Sequence, residues 1–160
     1  MVQKQKATNQ AETKKREVFR SIAPIYGLFY AYQVGYFKKA LDQVKSKIDV
    51  SAYTNIVDLG CGTGALCTVL NQLGLKVTGV DNVEEMLGIA GKKPGNTGVE
   101  FVRASVLERM PFEDKTFDLS ISSFVAHGLT TEERKNFFTE MGRVTKHWVI
   151  IGDYTEKKTL

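Results

Sequence analysis

The sequence predicts an α/β fold in which a parallel sheet is covered by helices on both faces. The first observation is that short apolar, β-branched runs alternate with helical patterns between residues 55 and 151. Strand, helix and strand repeated in this order are typical of a parallel sheet between two helical layers. The second observation is the length of 160 residues, which is enough for one domain with its own core.

Five strands and three helices are predicted in this region. The strands are 55–59, 76–80, 99–103, 117–122 and 148–151, and helical periodicity fits between them at 64–73, 83–91 and 131–144. Asn82 is positioned to cap the second of these helices, and Thr130 the third. Glu85 and Glu133 follow three residues later, in the capping-box position.

The first fifty residues are predicted to be a tail followed by a helical layer. Residues 1–17 are polar, and we expect a flexible tail. From Val18 onward apolar side chains recur at helical spacing, and a second helical stretch is expected from Tyr36 to Ile48, after Gly35. Seven of the 16 aromatic residues lie in 19–37. Residues 18–50 therefore form either a layer packed on the sheet or a lid over a ligand.

The composition indicates a cytoplasmic domain that binds no nucleic acid. Residues 1–20 hold six basic and two acidic side chains, which accounts for the net charge of +4 and leaves the remainder neutral. No apolar run is long enough to span a membrane, and no secretory leader is recognisable. Cys61 and Cys67 match no zinc or redox spacing, which fits free thiols in a reducing compartment.

The most informative segment is 57–66, where a strand runs into a glycine turn and then a helix. Gly60, Gly62 and Gly64 allow a sharp turn and a close approach to a ligand. The helix that follows directs its unpaired N–H groups at the same place. Asp81 ends the next strand, where a carboxylate accepts hydrogen bonds from ribose hydroxyls. The segment therefore predicts a ligand that contains adenosine.

The glycine spacing alone also fits the dinucleotide fingerprint, with Ala65 in its last position. Asp58 separates the two interpretations, because it would face the anionic pyrophosphate of a dinucleotide. S-Adenosylmethionine carries a sulfonium and an ammonium group and no phosphate, so it suits Asp58 better. The chain is also short for two mononucleotide-binding halves and a substrate region, which disfavours an NAD-dependent oxidoreductase.

Four segments together resemble the successive motifs of class I S-adenosylmethionine-dependent methyltransferases. They are VDLGCGTG, VTGVD, MPFEDKTFDLSISS and EMGRVTKHWVIIGDY, within residues 53–154. VFRSIAPIYGLFY also resembles the N-terminal segment of ubiquinone- and menaquinone-type C-methyltransferases. The resemblance implies a Rossmann-like sheet with two further strands after the fifth, but the chain ends at Leu160. We expect a fold without those strands: either the chain is a truncated product, or a homodimer mate or another partner covers the exposed edge.

The resemblance also implies which residues hold the cofactor S-adenosyl-L-methionine. Its methionine end is assigned to Asp58, Gly60 and Gly62, with Tyr26 closing over it. Its ribose is assigned to Asp81, and its adenine to Asn82, Val83 and Ser105. The predicted cofactor-binding set is completed by Cys61, Gly64, Ala104 and Ser122.

Candidates for the acceptor chemistry lie in residues 122–129, after the fourth strand. Loops beyond the carboxyl ends of parallel strands form the ligand crevice. His127 in this loop is the candidate catalytic base, since histidine takes up protons near neutral pH; the alternative is a structural hydrogen-bond partner. Asp153 and Tyr154 are expected to point toward the same crevice. The nearby helix N-terminus is expected to lower the pKa of Cys61, for which no nucleophilic role is predicted.

The sequence therefore predicts an enzyme that transfers the methyl group of S-adenosylmethionine to a small-molecule acceptor. The aromatic residues before the sheet favour a planar, quinone-like acceptor. No metal site is predicted. The alternative is an S-adenosylmethionine-binding module that is not catalytic alone and needs a partner, because the predicted fold lacks two strands of the family fold.

Overall fold

Helices and strands alternate through the chain in the computed structural model, which describes residues 17–18 and 29–154. The elements are α1 (Tyr30–Val44), β1 (Asn55–Leu59), α2 (Ala65–Gln72), β2 (Lys76–Asp81), α3 (Glu84–Ala90), β3 (Glu100–Arg103), β4 (Phe117–Ser123), α4 (Thr131–Val144) and β5 (Thr145–Gly152). Short 3₁₀ turns occupy Val50–Ala52, Pro94–Asn96 and Ala126–Gly128. The predicted tail, apart from Glu17, lies outside the described residues.

The five strands form one parallel sheet in the order β3-β2-β1-β4-β5. Strand order reverses at β1, whose neighbours are β2 on one side and β4 on the other. Ligands of such sheets bind beyond the carboxyl ends of the strands at this reversal. The predicted α/β class and parallel sheet are confirmed, and β5 begins three residues earlier than predicted because it follows α4 directly.

Two hydrophobic cores lie on opposite faces of the sheet. Ile56 of β1 belongs to the core beneath α1 and α2, whereas its neighbour Val57 belongs to the core beneath α4. Successive strand side chains point to opposite faces, which explains this division. Large side chains that are fully buried on each side include Leu70 and Phe137, and each contributes about 1.5–3 kcal/mol. The prediction of helices on both faces is confirmed.

Helix α1 is continuous through Gly35, so the predicted break near that residue is wrong. Glycine within a helix costs about 1 kcal/mol relative to alanine. Packing compensates for this, because Phe37 and Leu41 of α1 rest against the first core. The hydroxyl groups of Tyr30 and Thr68 also form a hydrogen bond that joins α1 to α2. The helix is thereby fixed over the glycine turn.

One of the two predicted helix caps is present. Thr130 and Glu133 form a capping box at α4, in which the Thr130 hydroxyl accepts a hydrogen bond from the Glu133 N–H at 3.3 Å. The prediction for Asn82 is wrong, because the N-cap of α3 is Val83 and no side chain caps it. Asp81 Oδ1 instead accepts a hydrogen bond from the Val83 N–H at 2.9 Å.

The edge of the sheet at β5 carries large exposed apolar side chains. Trp148, Val149 and Ile151 are 56%, 40% and 43% exposed. Among the described residues the sheet has five strands, and the two further strands implied by the family resemblance are not among them. None of the described helices is long and apolar enough to cross a membrane.

Candidate active site

A cavity of about 980 Å³ opens beyond the carboxyl ends of β1, β2 and β4. Small-molecule sites have volumes of about 300–1,000 Å³, so this cavity is at the large end of the range. Its walls come from the turn after β1, the end of β2, the loops after β3 and β4, the end of β5 and one side of α1. It therefore has room for a nucleoside-sized ligand together with a second small molecule.

The glycine turn after β1 has left-handed backbone at three positions, with φ values of 78° at Gly60, 53° at Gly62 and 74° at Gly64. The surroundings of the three differ. A Cβ atom at Gly60 would lie 2.4 Å from Val125 Cγ2, whereas one at Gly62 would meet nothing within 4 Å. Gly62 also lines the cavity. The open space at Gly62 is therefore where the backbone is accessible to a ligand.

Asp58 is a buried carboxyl group at the inner end of the cavity, with 2% of its surface exposed. Burial raises its pKa to about 7; the hydrogen bond from Cys67 Sγ opposes this shift, and the charge of Asp81 adds to it. That hydrogen bond joins Cys67 Sγ to Asp58 Oδ2 at 3.4 Å. A cationic ligand beside Asp58 would favour the ionised carboxylate. The position therefore suits an ammonium or sulfonium group.

Asp81, at the end of β2, links the glycine turn to the start of α3. Its Oδ2 accepts a hydrogen bond from the Gly62 N–H at 2.9 Å, and its Oδ1 accepts one from the Val83 N–H at 2.9 Å. Burial raises its pKa in spite of these N–H donors. A carboxylate offers about four lone-pair positions. Asp81 can therefore still accept hydrogen bonds from a vicinal diol such as a ribose.

The side of the cavity beyond Asp81 is an apolar slot with a few polar atoms. Asn82 and Val83 line it, as the family resemblance implies, and Ser105 lies across from them in the loop after β3. The Ser105 hydroxyl accepts a hydrogen bond from the Leu107 N–H at 3.3 Å, which leaves its own proton available to donate. Sequence reasoning missed three apolar lining residues, which no motif marks: Met86, Val106 and Leu107.

Three described residues of the predicted cofactor set, Gly64, Ala104 and Ser122, do not line the cavity. A Cβ at Gly64 would meet Asn96 Nδ2 at 2.5 Å, so this glycine is needed for packing. Ala104 packs against the core beneath α4, and its N–H donates to the Asp81 carbonyl at 3.1 Å. Ser122 is fully buried in β4. In the described structure these three residues make packing and backbone contacts, and their assignment to the cofactor stays a prediction. Tyr26 lies outside the described residues.

Cys61 lines the cavity but is buried, and the expected lowering of its pKa is wrong. Its hydrogen bond with Cys67 acts to lower the pKa, but burial and the carboxylates of Asp58 and Asp81 outweigh it and the pKa is raised. The helix begins only after Gly64, so its terminus lies too far along the chain to dominate. Both cysteines are free thiols, as predicted.

At the opposite wall His127 and Asp153 form a two-point contact. The ring Nδ1 of His127 lies 2.9 Å from Asp153 Oδ1, and the backbone N–H of His127 donates to Asp153 Oδ2 at 2.9 Å. Partial burial acts to raise the pKa of Asp153, but hydrogen bonds from Tyr154 and His127 outweigh it and lower the pKa. Both residues line the cavity, as does Tyr154, whose predicted direction is thereby confirmed.

Aromatic rings surround this second wall. Phe124 lies 5.7 Å from the Tyr36 ring, 6.3 Å from the Phe37 ring and 5.0 Å from the Tyr154 ring, measured between centroids. Phe124 has a φ of 58°, which costs a bulky residue about 1–2 kcal/mol. Its N–H is held by the Gly152 carbonyl at 2.8 Å. Three segments distant in sequence thus build one aromatic surface, which we call the acceptor wall.

The charges that line the cavity are all of one sign among the described residues. Four carboxyl groups are present and neither lysine nor arginine; the four are Asp58, Asp81, Glu133 and Asp153. A site of this composition attracts cationic or neutral ligands and disfavours anionic ones. The described residues also contain no cluster of three or more side chains suited to a metal ion.

Comparison with known proteins agrees with this geometry. The model of the methyltransferase domain family matches residues 56–147. Demethylmenaquinone methyltransferase of Chlorobaculum tepidum is 33% identical over 135 residues, covering 76% of this chain and 53% of the relative. Malonyl-[acyl-carrier protein] O-methyltransferase of Buchnera aphidicola is 32% identical over 133 residues, covering 83% and 50%. A crystal structure of an S-adenosylmethionine-dependent methyltransferase from Mesorhizobium loti superposes with a TM-score of 0.55 at 27% identity, covering 66% and 48%.

The chain belongs to the methyltransferase domain family, within the class I S-adenosylmethionine-dependent methyltransferases. This membership assigns it S-adenosyl-L-methionine as cofactor. The chain spans about half the length of the curated relatives it matches.

Proposed function

We propose that the chain binds S-adenosylmethionine and transfers its methyl group to a small, planar acceptor. The observation that carries the proposal is one cavity with two unlike ends. One end has the buried carboxyl group of Asp58, the half-buried one of Asp81 and a glycine turn, and the other has the acceptor wall of aromatic rings. Bound S-adenosylmethionine supplies an activated methyl carbon, so the protein's main task is to bring donor and acceptor together.

The donor end fits the cofactor in charge and shape. Asp58 would receive the ammonium group of its methionine part, and the ribose hydroxyls would donate to Asp81. The adenine would lie in the slot beside Val83, with Asn82 and Ser105 at its rim. The open position at Gly62 admits the ligand to the backbone, since no side chain occupies that space.

Positioning accounts for most of the rate enhancement that such a site needs. Donor and acceptor held about 3 Å apart and in line gain roughly 7–11 kcal/mol over free encounter. Helix α1 contributes Gln33 and Tyr36 to the cavity, and Gln33 Oε1 accepts a hydrogen bond from the Thr63 hydroxyl at 3.4 Å. This contact connects the helical layer to the glycine turn, so α1 both packs on the sheet and borders the site.

The acceptor wall favours a neutral, planar molecule, of which a quinol is one example. Rings at 5–6 Å spacing stack on flat ligands, and carboxyl groups without a described lysine or arginine disfavour a carboxylate or phosphate. The names of the relatives cover two unlike acceptors, demethylmenaquinone and malonyl-[acyl-carrier protein]. We therefore base the proposed acceptor class on the residues of the acceptor wall and not on the names of the relatives.

The test combines calorimetric titration with a methylation assay. S-Adenosylmethionine and S-adenosylhomocysteine should bind with micromolar affinity and NAD should not. 1,4-Dihydroxynaphthalene should then gain one methyl group by mass spectrometry, whereas 1-naphthoate should not. Failure of both nucleosides to bind a folded chain would contradict the proposal, and methylation of the naphthoate alone would contradict the acceptor class.

We also propose that another polypeptide covers the β5 edge, either a second copy of this chain or a different partner. The exposed side chains of Trp148, Val149 and Ile151 support this, because an open strand edge with apolar flanks invites pairing. If the site needs that partner, the chain alone would bind the cofactor without turnover. Sedimentation of the wild type and of Ile151→Lys distinguishes the cases: a dimer lost in the variant supports self-association, and two monomers point to a different partner.

A cytoplasmic location also remains a proposal. Cys61 and Cys67 are both free, which fits a reducing compartment. Fractionation of the source cells, followed by immunodetection of the chain, would test it.

A further inference from the structure

The contact between His127 and Asp153 defines which ring nitrogen of the histidine carries the proton. Asp153 accepts from the N–H groups of Tyr154 and His127, which favour its ionised form. An ionised carboxylate only accepts hydrogen bonds. The ring Nδ1, 2.9 Å from Asp153 Oδ1, must therefore donate. In the neutral ring this leaves Nε2 unprotonated, with a free lone pair.

We infer that His127 is the base that removes a proton from the acceptor and that Asp153 is its positioning residue. This inference rests on the proposed function and deepens it. His127 is 47% exposed and lines the cavity, whereas Asp153 is 14% exposed and holds the ring from the protein side. The Tyr154 ring packs edge-on against the imidazole at 5.0 Å and limits its rotation.

A base is needed here because of the charge of the cavity. An acceptor that is already anionic would meet four carboxyl groups and no described lysine or arginine. The acceptor must therefore enter neutral and lose its proton as the methyl group arrives. The groups around His127 are Asp153 and Tyr154 at the end of β5 and Glu133 of α4, which lines the same cavity. Among the described residues that line the cavity, His127 is the one histidine.

The reaction balances without any further reagent. A bond forms between the acceptor oxygen and the methyl carbon, the carbon–sulfur bond breaks, and its electron pair remains on sulfur. The hydroxyl proton moves to Nε2 of His127. The resulting imidazolium is stabilised by the charge of Asp153 and returns its proton to water after the product leaves. General base catalysis of this kind contributes about 10²–10⁴-fold.

Nitrogen NMR of the chain labelled at histidine tests the arrangement without an acceptor. The chain has two histidines, so His147→Gln assigns both sets of signals. At pH 8.5 we expect His127 to show a protonated Nδ1 and a bare Nε2. In Asp153→Asn the population should shift toward the Nε2–H form, because the amide no longer requires a donor. Asp42→Asn, an exposed carboxylate on α1, is the matched control and should change nothing.

A chemical readout separates a reactive Nε2 from a purely structural hydrogen bond. Diethyl pyrocarbonate should acylate His127, and the rate should fall at least about tenfold in Asp153→Asn while His147 reacts as before. Turnover of 1,4-dihydroxynaphthalene should fall about 100-fold or more in His127→Gln, with donor affinity unchanged. A wild-type His127 that carries its proton on Nε2, or that reacts equally fast in Asp153→Asn, overturns the inference. If the wild-type chain does not bind S-adenosylmethionine, the proposed function is overturned instead.

Discussion

The two ends of the cavity are built in different ways. The centre of the donor end is the segment from Asp58 to Thr63, which consists of turn backbone and buried polar groups close together in sequence: Asp58 is 2% exposed and Thr63 3%. The acceptor end consists of side chains from α1, the loop after β4 and the end of β5, and these are more exposed, with Tyr36 at 45% and Tyr154 at 70%. A buried donor end suits a family that shares one cofactor, and an exposed acceptor end allows the second substrate to differ.

The two ends of the cavity also differ in which groups are energetically unfavourable in the ligand-free chain. At the donor end the ionised forms of Asp58 and Asp81 are unfavourable, because burial raises the pKa values of both carboxyl groups. The acceptor end stores backbone strain at Phe124 instead. A cationic ligand would stabilise the carboxylates of the donor end. The strain at Phe124 is offset already in the ligand-free chain, by the ring contacts with Tyr36 and Tyr154. Substitutions at the donor end should therefore have the larger effects on binding.

The largest effect is expected for Gly62→Val. A side chain there would occupy the open space that faces the ligand, and a β-branched residue at a φ of 53° adds strain of about 1–2 kcal/mol. Calorimetry should detect no binding of S-adenosylmethionine, while the circular dichroism spectrum stays that of the wild type. Gly64→Ala is the contrasting variant: its Cβ would meet Asn96, Ala90 and Phe101, so it should lower the melting temperature. Retained donor binding in Gly62→Val would show that the ligand lies elsewhere.

Asp81→Ala should weaken donor binding by at least about 100-fold. The variant removes acceptors for two ribose hydroxyls, and hydrogen bonds to charged groups contribute roughly 1.5–3 kcal/mol each. It also frees the Gly62 and Val83 N–H groups, so a small loss of stability is expected as well. Titration of the variant with S-adenosylhomocysteine measures the affinity, with Asp42→Ala as the control. Unchanged affinity would contradict the ribose assignment.

A third and smaller effect is a pH dependence that comes from Asp58. Its pKa in the folded chain is about 7, so the carboxyl group is protonated below that pH and must ionise to receive an ammonium group. Donor affinity should therefore fall about tenfold per pH unit as the pH is lowered from 7 to 5. Asp58→Asn should bind more weakly at pH 8 and lose this slope. A wild-type affinity that does not vary with pH would show that Asp58 does not contact the ligand.

The stability of the ligand-free chain should change with pH in the opposite direction. The pKa of Asp58 is raised in the folded state, so between pH 3.8 and about 7 the folded chain holds a proton that the unfolded chain has lost. Stability then falls as the pH rises through this window, by about 1.4 kcal/mol per unit, or roughly 4 kcal/mol in all. Denaturant titrations at pH 5 and 8 measure the part of this loss that falls above pH 5, roughly 2.6 kcal/mol. Asp58→Asn should remove most of the difference in stability between the two pH values. The remainder should come from Asp81, whose pKa is also raised.

The parts of the molecule that the sequence predicts are those fixed by residues near one another in the chain. The strand and turn around Asp58 and the capping box of Thr130 depend on neighbours within a few residues, and the sequence predicts both. The sequence wrongly predicts a break near Gly35, because the tertiary packing of Phe37 overrides the weak local preference of glycine against helix. Asn82 failed as a cap because Asp81, one residue earlier, already accepts the Val83 N–H. The contact between His127 and Asp153 spans 26 residues, so no local pattern could have revealed it.

The smallest effect is expected at the acceptor wall, for Tyr154→Ala. Tyr154 is 70% exposed and makes ring contacts with Phe124 and His127, at 5.0 Å in each case. Its loss should weaken binding of 1,4-dihydroxynaphthalene a few-fold, since an aromatic contact contributes about 0.5–1.5 kcal/mol. Donor affinity should not change, because no donor-binding group touches this ring. Phe138→Ala, which removes a 39% exposed ring of α4 that does not line the cavity, is the matched control. Equal losses of donor and acceptor affinity would show that the two ends of the cavity are not separate.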